Sequence, residues 1–481
     1  MLSYSTLNLS LRGRPNHDSD LESLDSDDFS INKHNQDRQD HQEKGKEKDT
    51  KEKSSFASVS FNIINTAIGG GILGYPYIVR QLGIATGVFF IVLAGLLTVF
   101  STSILQKCKN LSKKKSYIGI AEACFKKKGS SLCSVIIVIN TLGGCIIYLT
   151  VFATVVRNIL EAFVPYCDPN SGSQAFYCKN SVLVPFGGLL MLPFNFMKSI
   201  DKLKFVSLLK VAAVFIFTGI TVVFSISRMI SGQRASDTTL WPNFEEPVST
   251  IACIPSIFFG YNFLYNQFTL YKSLKDPSDE KFAKAIKVSI AFVGFTYLSV
   301  GLFGYLLYGS ATDNMLINFT KEDLGAVWFT ILNIGFLICS LGGIPVTYFP
   351  AKNIIYGAVC KQIKKKSKSS GIEYSLNNPS RLHSSMATSG NAHKDKIAYI
   401  VVVLVSNAFI ILTGIVAPGL NQVLGLLGSI GSASLIFLFP MAFYLKLEGE
   451  GKKKKVIPIM LLVFGGIIAL AGFATNLLMI I

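Results

Sequence analysis

The chain is 481 residues long, half of them apolar, with only 16% charged and a net charge of +17. A soluble surface needs its charges spread along the sequence, whereas here they are swept into short blocks between long uncharged stretches, which excludes a soluble globular protein. The basic excess flanks those stretches, so it reads as a signal for membrane orientation and not for a nucleic-acid partner.

Residues 1–53 are polar, rich in Asp, Ser, Lys and Gln, with too little apolar surface to offset the entropy of folding. They are expected to form a disordered cytoplasmic tail. No apolar core of the kind a cleavable signal peptide needs stands near the N-terminus. Eleven apolar spans follow, over 55–81, 82–106, 131–163, 181–199, 204–228, 249–271, 284–308, 324–356, 397–416, 419–445 and 456–480. Stretches such as Leu82–Gln106, Leu132–Val156 and Val456–Ile481 contain no Asp, Glu, Lys or Arg. At roughly 1.5 Å per residue each is long enough to cross a hydrocarbon core of about 30 Å. The lipid bilayer is therefore the expected surroundings.

The first span carries the most informative motif, NTAIGGGILGYP at residues 65–76. Each glycine weakens a helix by roughly 1 kcal/mol, and Pro76 removes a backbone donor, so the helix is expected to unwind near Gly69, Gly70 and Gly71. A tight helix crossing also uses glycine, but three in a row exceed what a crossing needs. In lipid an unwound backbone is tolerated only where it lines a cavity or is buried in protein. Exposed N–H groups at the start of the second half-helix, from Gly69 to Ile72, would attract a carboxylate by direct hydrogen bonds and by the helix dipole.

Between the third and fourth spans, CDPNSGSQAFYC places Cys167 and Cys178 in one outside loop, where a disulfide is expected. Span six supplies a second interruption, with Pro255 and Ser256 followed by Phe258, Phe259, Gly260, Tyr261 and Asn262. Two broken spans five apart fit an inverted repeat of five plus five helices, with an eleventh appended. The core would run over 54–450 as ten helices, with 451–481 as the eleventh. Asn318 heads the sequon Asn-Phe-Thr on the outside and is a candidate glycosylation site. The stretch 361–396, with its lysines, serines and glycines, reads as a flexible cytoplasmic linker.

With the N-terminus cytoplasmic, the inside segments hold 39 of the 46 Lys and Arg. That asymmetry supports both the orientation and the number of spans. No Asp or Glu lies near the middle of any span, and all five histidines fall outside the spans. A carboxylate or histidine proton relay is therefore not visible, nor is a metal-ligand cluster, a Ser/His/Asp constellation or a phosphate-cradling loop. An enzyme is not expected, and no cofactor is called for beyond a coupling ion.

Several pieces carry a resemblance. Phe61-Asn62-Ile-Ile-Asn65 with Gly69–Gly74 looks like the first span of the amino acid/auxin permease family, particularly its sodium-coupled neutral amino acid transporter branch. Further matching pieces follow in order at 192–207, 271–278, 301–309, 313–319, 344–353 and 423–449. The resemblance implies an all-α fold of the leucine-transporter type and cation-driven amino acid uptake. It also implies a cation site at Asn65 and Ser340, with the carbonyls before Gly69, including that of Ile68. Leu341, Gly342 and Gly343 stand where hydroxyl residues often occur in the family, and Leu264 stands where relatives often have histidine.

The two lines combine into one expectation. The substrate carboxylate would meet Gly69–Gly71 and its ammonium the carbonyls freed around Phe258–Gly260. A side-chain pocket without a membrane carboxylate, Arg or Lys at midspan favours neutral amino acids. Na⁺ is favoured as the coupling ion, with H⁺ as the alternative. An uncoupled facilitator and an amino-acid-sensing receptor on a transporter scaffold are the rival readings. The membrane would be the plasma membrane or a vacuolar or endolysosomal one.

Overall fold

The computed structural model describes residues 54–161, 175–197, 204–233, 235–242, 244–312, 315–367, 392–448 and 452–481. The expected tail 1–53 and Cys167 lie outside these residues. Among the described residues the architecture is helical throughout, apart from one isolated bridge between Ser54 and Leu274.

The first span is α1 (Phe56–Ala67) followed by a 3₁₀ turn (Gly70–Gly74) and α2 (Tyr75–Leu82). Ser55 starts it, its side chain accepting from the Ser58 N–H at 3.2 Å, and Pro76 stands in the first turn of α2. The two pieces are bent by 52°. Next come α3 (Ile84–Ser112), α4 (Tyr117–Glu161), α5 (Asn180–Asn195) and α6 (Lys204–Ile230). α4 reaches further back than the expected 131–163. A kink at Phe125 and Lys126 separates a short arm from the span itself.

The sixth span is likewise broken. α7 (Pro247–Gly260) gives way to a 3₁₀ turn (Leu264–Asn266) and α8 (Gln267–Ser273). After it run α9 (Asp279–Tyr308), the single turn α10 (Met315–Asn318) and α11 (Lys321–Ser367). α11 continues into the expected linker. Residues 368–391 lie outside the described set, and α12 (Ala392–Val416) follows. The tenth span is α13 (Leu420–Leu427), two π-helical turns (Gly428–Ser432 and Ser434–Leu438) and α14 (Phe439–Leu447). The last helix is α15 (Lys452–Leu478).

Among the described residues nine helices are long and apolar enough to cross a membrane, and the bent first pair makes ten. α5 matches the expected fourth span but has only 16 residues, about 24 Å of helix. Side chains such as Leu96, Val223 and Leu470 point outward, an apolar periphery suited to lipid.

Inside the bundle α11 packs along α4 and α6, α9 along α1, α2 and α6, and α15 along α7. Both broken spans therefore sit in the middle. At the end where α1 begins, Ser54 N donates to Ser273 O (2.7 Å) and Lys275 N to Ser54 O (2.9 Å), tying α1 to the end of α8. Asp279 accepts from Gln106 Nε2 (2.6 Å), Lys109 Nζ (3.0 Å) and Asn110 Nδ2 (2.8 Å), which pins α9 to α3 at the same end.

Candidate substrate and cation site

The two interruptions face one cavity. Ile68 leaves helical geometry at φ −76° and ψ 115°, and Gly69 is extended at φ −138° and ψ −160°. Gly69 is needed for close approach, since a Cβ there would stand 2.6 Å from Tyr148 Oη. The N–H groups of Gly69, Gly70 and Gly71 form no backbone hydrogen bond and stand at the start of the second half-helix, the positive end of its dipole.

On the other side, Tyr261 N donates to Phe258 O (3.2 Å) and Asn262 N to Phe259 O (3.1 Å) as α7 unwinds. Tyr297 of α9 ties the two breaks together. Its hydroxyl lies 3.1 Å from Ala67 O and 2.9 Å from Gly260 O, sharing one proton between the last carbonyls of α1 and α7. The Tyr75 ring stacks on Tyr297 at 4.0 Å, and Tyr75 Oη donates to Ile257 O at 3.2 Å. The carbonyls of Phe258, Phe259 and Gly260 thus each already accept one hydrogen bond. This corrects the expectation that unwinding leaves them free, because the tight turn and Tyr297 recapture them.

A cavity of about 50 Å³ lies between the breaks. Of the expected substrate residues, Gly69, Gly70, Gly71, Phe259, Gly260 and Asn262 line it. Ile72 and Phe258 do not. Both are fully buried, and Phe258 packs edge-on against Phe437 (5.1 Å) and Phe464 (6.3 Å). Asn262 Nδ2 donates to Asn140 Oδ1 (3.2 Å) and Ser432 Oγ (3.1 Å), which leaves Asn262 Oδ1 buried without a partner. None of the lining side chains is charged.

Sequence reasoning missed Asn140, Gly144 and Tyr148 on α4, Tyr265 after the second break and Thr347 on α11, all of which line the cavity. Asn140 left a faint signal as a strong hydrogen-bonding group inside an uncharged span. The others follow only from how α4 and α11 cross.

The expected cation residues are all buried. Asn65 has an unpartnered Oδ1, Ile68 is the extended cap of α1, and Ser340 Oγ donates to Phe336 O at 2.8 Å within its own helix. The carbonyl of Asn65 accepts from Lys210 Nζ at 2.8 Å. The absence of any membrane Lys at midspan, expected from the sequence, is thereby corrected. Of the Lys and Arg outside the inner blocks, those among the described residues lie in loops or near helix ends, except Lys210, which is carried into the bundle. Cys178 is buried in a short 3₁₀ turn, and Asn318 is half-buried at the end of α10.

The tyrosine link makes a prediction. Tyr297→Phe leaves two buried carbonyls without their shared donor, each costing about 1–3 kcal/mol. Initial-rate uptake in proteoliposomes is expected to fall at least about tenfold while the purified protein stays monodisperse. Unchanged uptake would show that the link is dispensable.

The fold resembles the solved structure of MhsT in complex with L-phenylalanine, with a TM-score of 0.52 at 12% identity over 85% of this chain and 98% of that one. Similar sequences include amino acid transporter AVT6A of Arabidopsis thaliana, 27% identical over 66% of this chain and 70% of the relative. Amino acid transporter AVT6C of the same plant is 23% identical over 88% and 94%. Sodium-coupled neutral amino acid transporter 7 of Xenopus laevis is 22% identical over 87% of each chain. A family profile described as transmembrane amino acid transporter protein matches residues 52–478, and the chain belongs to that family, as a transmembrane amino acid transporter and not an enzyme.

Proposed function

We propose that the chain is a cation-coupled secondary transporter of small neutral amino acids that works by alternating access. The observation that carries this reading is an uncharged cavity between two helix breaks, with unbonded N–H groups on one wall and the unpartnered Asn262 Oδ1 on another. The substrate carboxylate binds the N–H groups of Gly69–Gly71. Its ammonium binds Asn262 Oδ1, with the second lone pairs of the α7 carbonyls in support.

A cavity of about 50 Å³ holds roughly four water molecules, the scale of an amino acid with a short side chain. Without a charged lining residue, a cationic or anionic side chain would be buried unpaired. Cation coupling is assigned to the end of α1, at Asn65 and Ile68, with Ser340 of α11 as the further oxygen ligand. The orientation, eleven spans with a cytoplasmic N-terminus, is supported by the charge asymmetry and by α5 as the short fourth span. The Cys167–Cys178 bridge and glycan at Asn318 belong to the same proposal, on the outer side.

The test is uptake of labelled amino acids by the purified chain in proteoliposomes. Alanine or serine is expected to enter at least about tenfold faster than lysine or glutamate. Equal entry of all four, or entry of none under any gradient or in exchange, would refute the reading.

A further inference from the structure

Asn140 on α4 differs from most asparagines inside the bundle. The side-chain N–H groups of Asn195, Asn262, Asn333, Asn407 and Asn476 all donate to other protein atoms. Asn140 is as deeply buried, at 4% exposed, yet among the described residues no acceptor takes a bond from its Nδ2. Buried polar groups are hydrogen-bonded as a rule, and Asn140 lines the cavity between the two breaks, so the partner of this donor has to come from within the cavity.

The amide is held in that orientation. Its Oδ1 accepts from Asn262 Nδ2 at 3.2 Å, and the same Nδ2 lies 3.1 Å from Ser432 Oγ. Turning the Asn140 amide over would set two donors against each other. Ser432 ends the first π-helical turn of the tenth span, and in that turn a Cβ on Gly431 would stand 2.4 Å from Asn140 Oδ1. π turns inside helices recur at functional sites. This one sets Gly431 and Ser432 against the two amides.

Other polar groups around the cavity are differently placed. Tyr148 Oη stands at the carboxylate wall, 2.6 Å from where a Cβ of Gly69 would lie. Thr66 Oγ1 donates to Asn62 O at 2.7 Å. Tyr265, just past the second break, adds a hydroxyl that makes no hydrogen bond among the described residues. In a cavity of about 50 Å³ water can serve Asn140 and Tyr265, but a substrate that fills the space displaces that water and has to replace its bonds.

We propose that Asn140 selects the substrate's side chain: its Nδ2 donates to an oxygen one carbon away from Cα, so the preferred cargo is a small amino acid with a side-chain hydroxyl, serine ahead of alanine. The proposal rests on reading the chain as a transporter of small neutral amino acids. With the carboxylate on Gly69–Gly71 and the ammonium on Asn262 Oδ1, the amide bonded to Asn262 is the next group a side-chain oxygen meets. Alanine is still carried, because its methyl leaves room for water at Nδ2. L-α-Aminobutyrate, which has a methyl in place of serine's hydroxyl, loses the bond and covers Nδ2 with carbon. A site that hydrogen-bonds a hydroxyl rejects the analogue lacking it far more strongly than an apolar pocket rejects an added methylene.

The experiment measures exchange of labelled alanine by the full chain in proteoliposomes, with unlabelled L-serine, L-alanine and L-α-aminobutyrate as competitors. In the parent chain serine is expected to compete at least about tenfold more strongly than α-aminobutyrate, with alanine between them. Asn140→Leu keeps the size of the side chain, and Asn140→Ala serves if leucine does not fit. Each is expected to bring the ratio of serine to α-aminobutyrate within about twofold. A merely structural role for Asn140 would weaken all three competitors together and leave that ratio as it is in the parent. Equal competition by serine and α-aminobutyrate in the parent chain, or a parental ratio that persists in either variant, would overturn the assignment to Asn140, while the alanine exchange that reports it keeps the transporter reading intact. Absence of exchange in the parent chain would overturn the transporter reading, and this inference with it.

Discussion

Replacing Gly70 with valine is expected to abolish amino acid uptake, by at least about a hundredfold in initial rate, without removing the protein from the membrane. A Cβ built on Gly70 would stand 3.1 Å from Ile147 Cγ2 and 3.2 Å from Val151 Cγ2, tighter than nine in ten real contacts of a Cβ. The two extra methyls of valine make that worse. Both neighbours belong to α4, a long helix held between α5 and α11, so the strand of glycines yields and not α4. Overpacking of this kind costs about 1–3 kcal/mol, within reach of a domain's usual stability of about 5–15 kcal/mol. The fold survives, but the N–H groups shift from the carboxylate, and a displacement of about 1 Å at a reacting or binding site costs about a hundredfold. Initial-rate uptake, with membrane protein quantified in the same preparation, measures it. Normal uptake would mean that the carboxylate is not held by this wall.

Gly260→Ala is expected to cost at least about thirtyfold in uptake through a different contact. Its Cβ would come 2.3 Å from Tyr75 Oη and 3.0 Å from Tyr297 Cε2. A tyrosine tip in open space would swing aside, but Tyr75 is 1% exposed, stacked on Tyr297 and bonded to Ile257 O. Moving it pulls Tyr297 off Ala67 O and Gly260 O, so the two breaks lose their common donor together. Gly466→Ala is the matched control, because nothing lies within 4 Å of its added Cβ. It should leave uptake unchanged and stability within about 0.5 kcal/mol. Equal losses at both positions would show that glycine, and not this contact, is what matters.

The contrast between these glycines and Lys210 shows what a single sequence carries. Three adjacent glycines ahead of a proline disrupt a helix by local backbone energetics, so the break at 68–69 was legible before any packing was known. The same holds for span six, where Gly260 and a run of polar residues interrupt an apolar stretch. Span lengths and charge blocks are local too, and they fixed most helices to within a few residues. Tyr148, Thr347 and Asn140 are different. Each is one polar or aromatic residue on a long helix, and only the crossing of α4 with α11 turns it toward the cavity. Lys210 was hidden for another reason. A lysine two turns into a span looks like a residue that snorkels to the membrane surface, and only the course of α1 shows that its ammonium stops at Asn65 O instead.

The central claim is that recognition begins with a carboxylate on the N–H groups of Gly69–Gly71, and competition against labelled alanine exchange in proteoliposomes tests it most directly. Unlabelled L-alanine is expected to compete fully, while L-alaninamide, which keeps the ammonium and side chain but lacks the carboxylate, should compete at least about a hundredfold more weakly. Competition by the amide as strong as that of alanine itself would contradict the account.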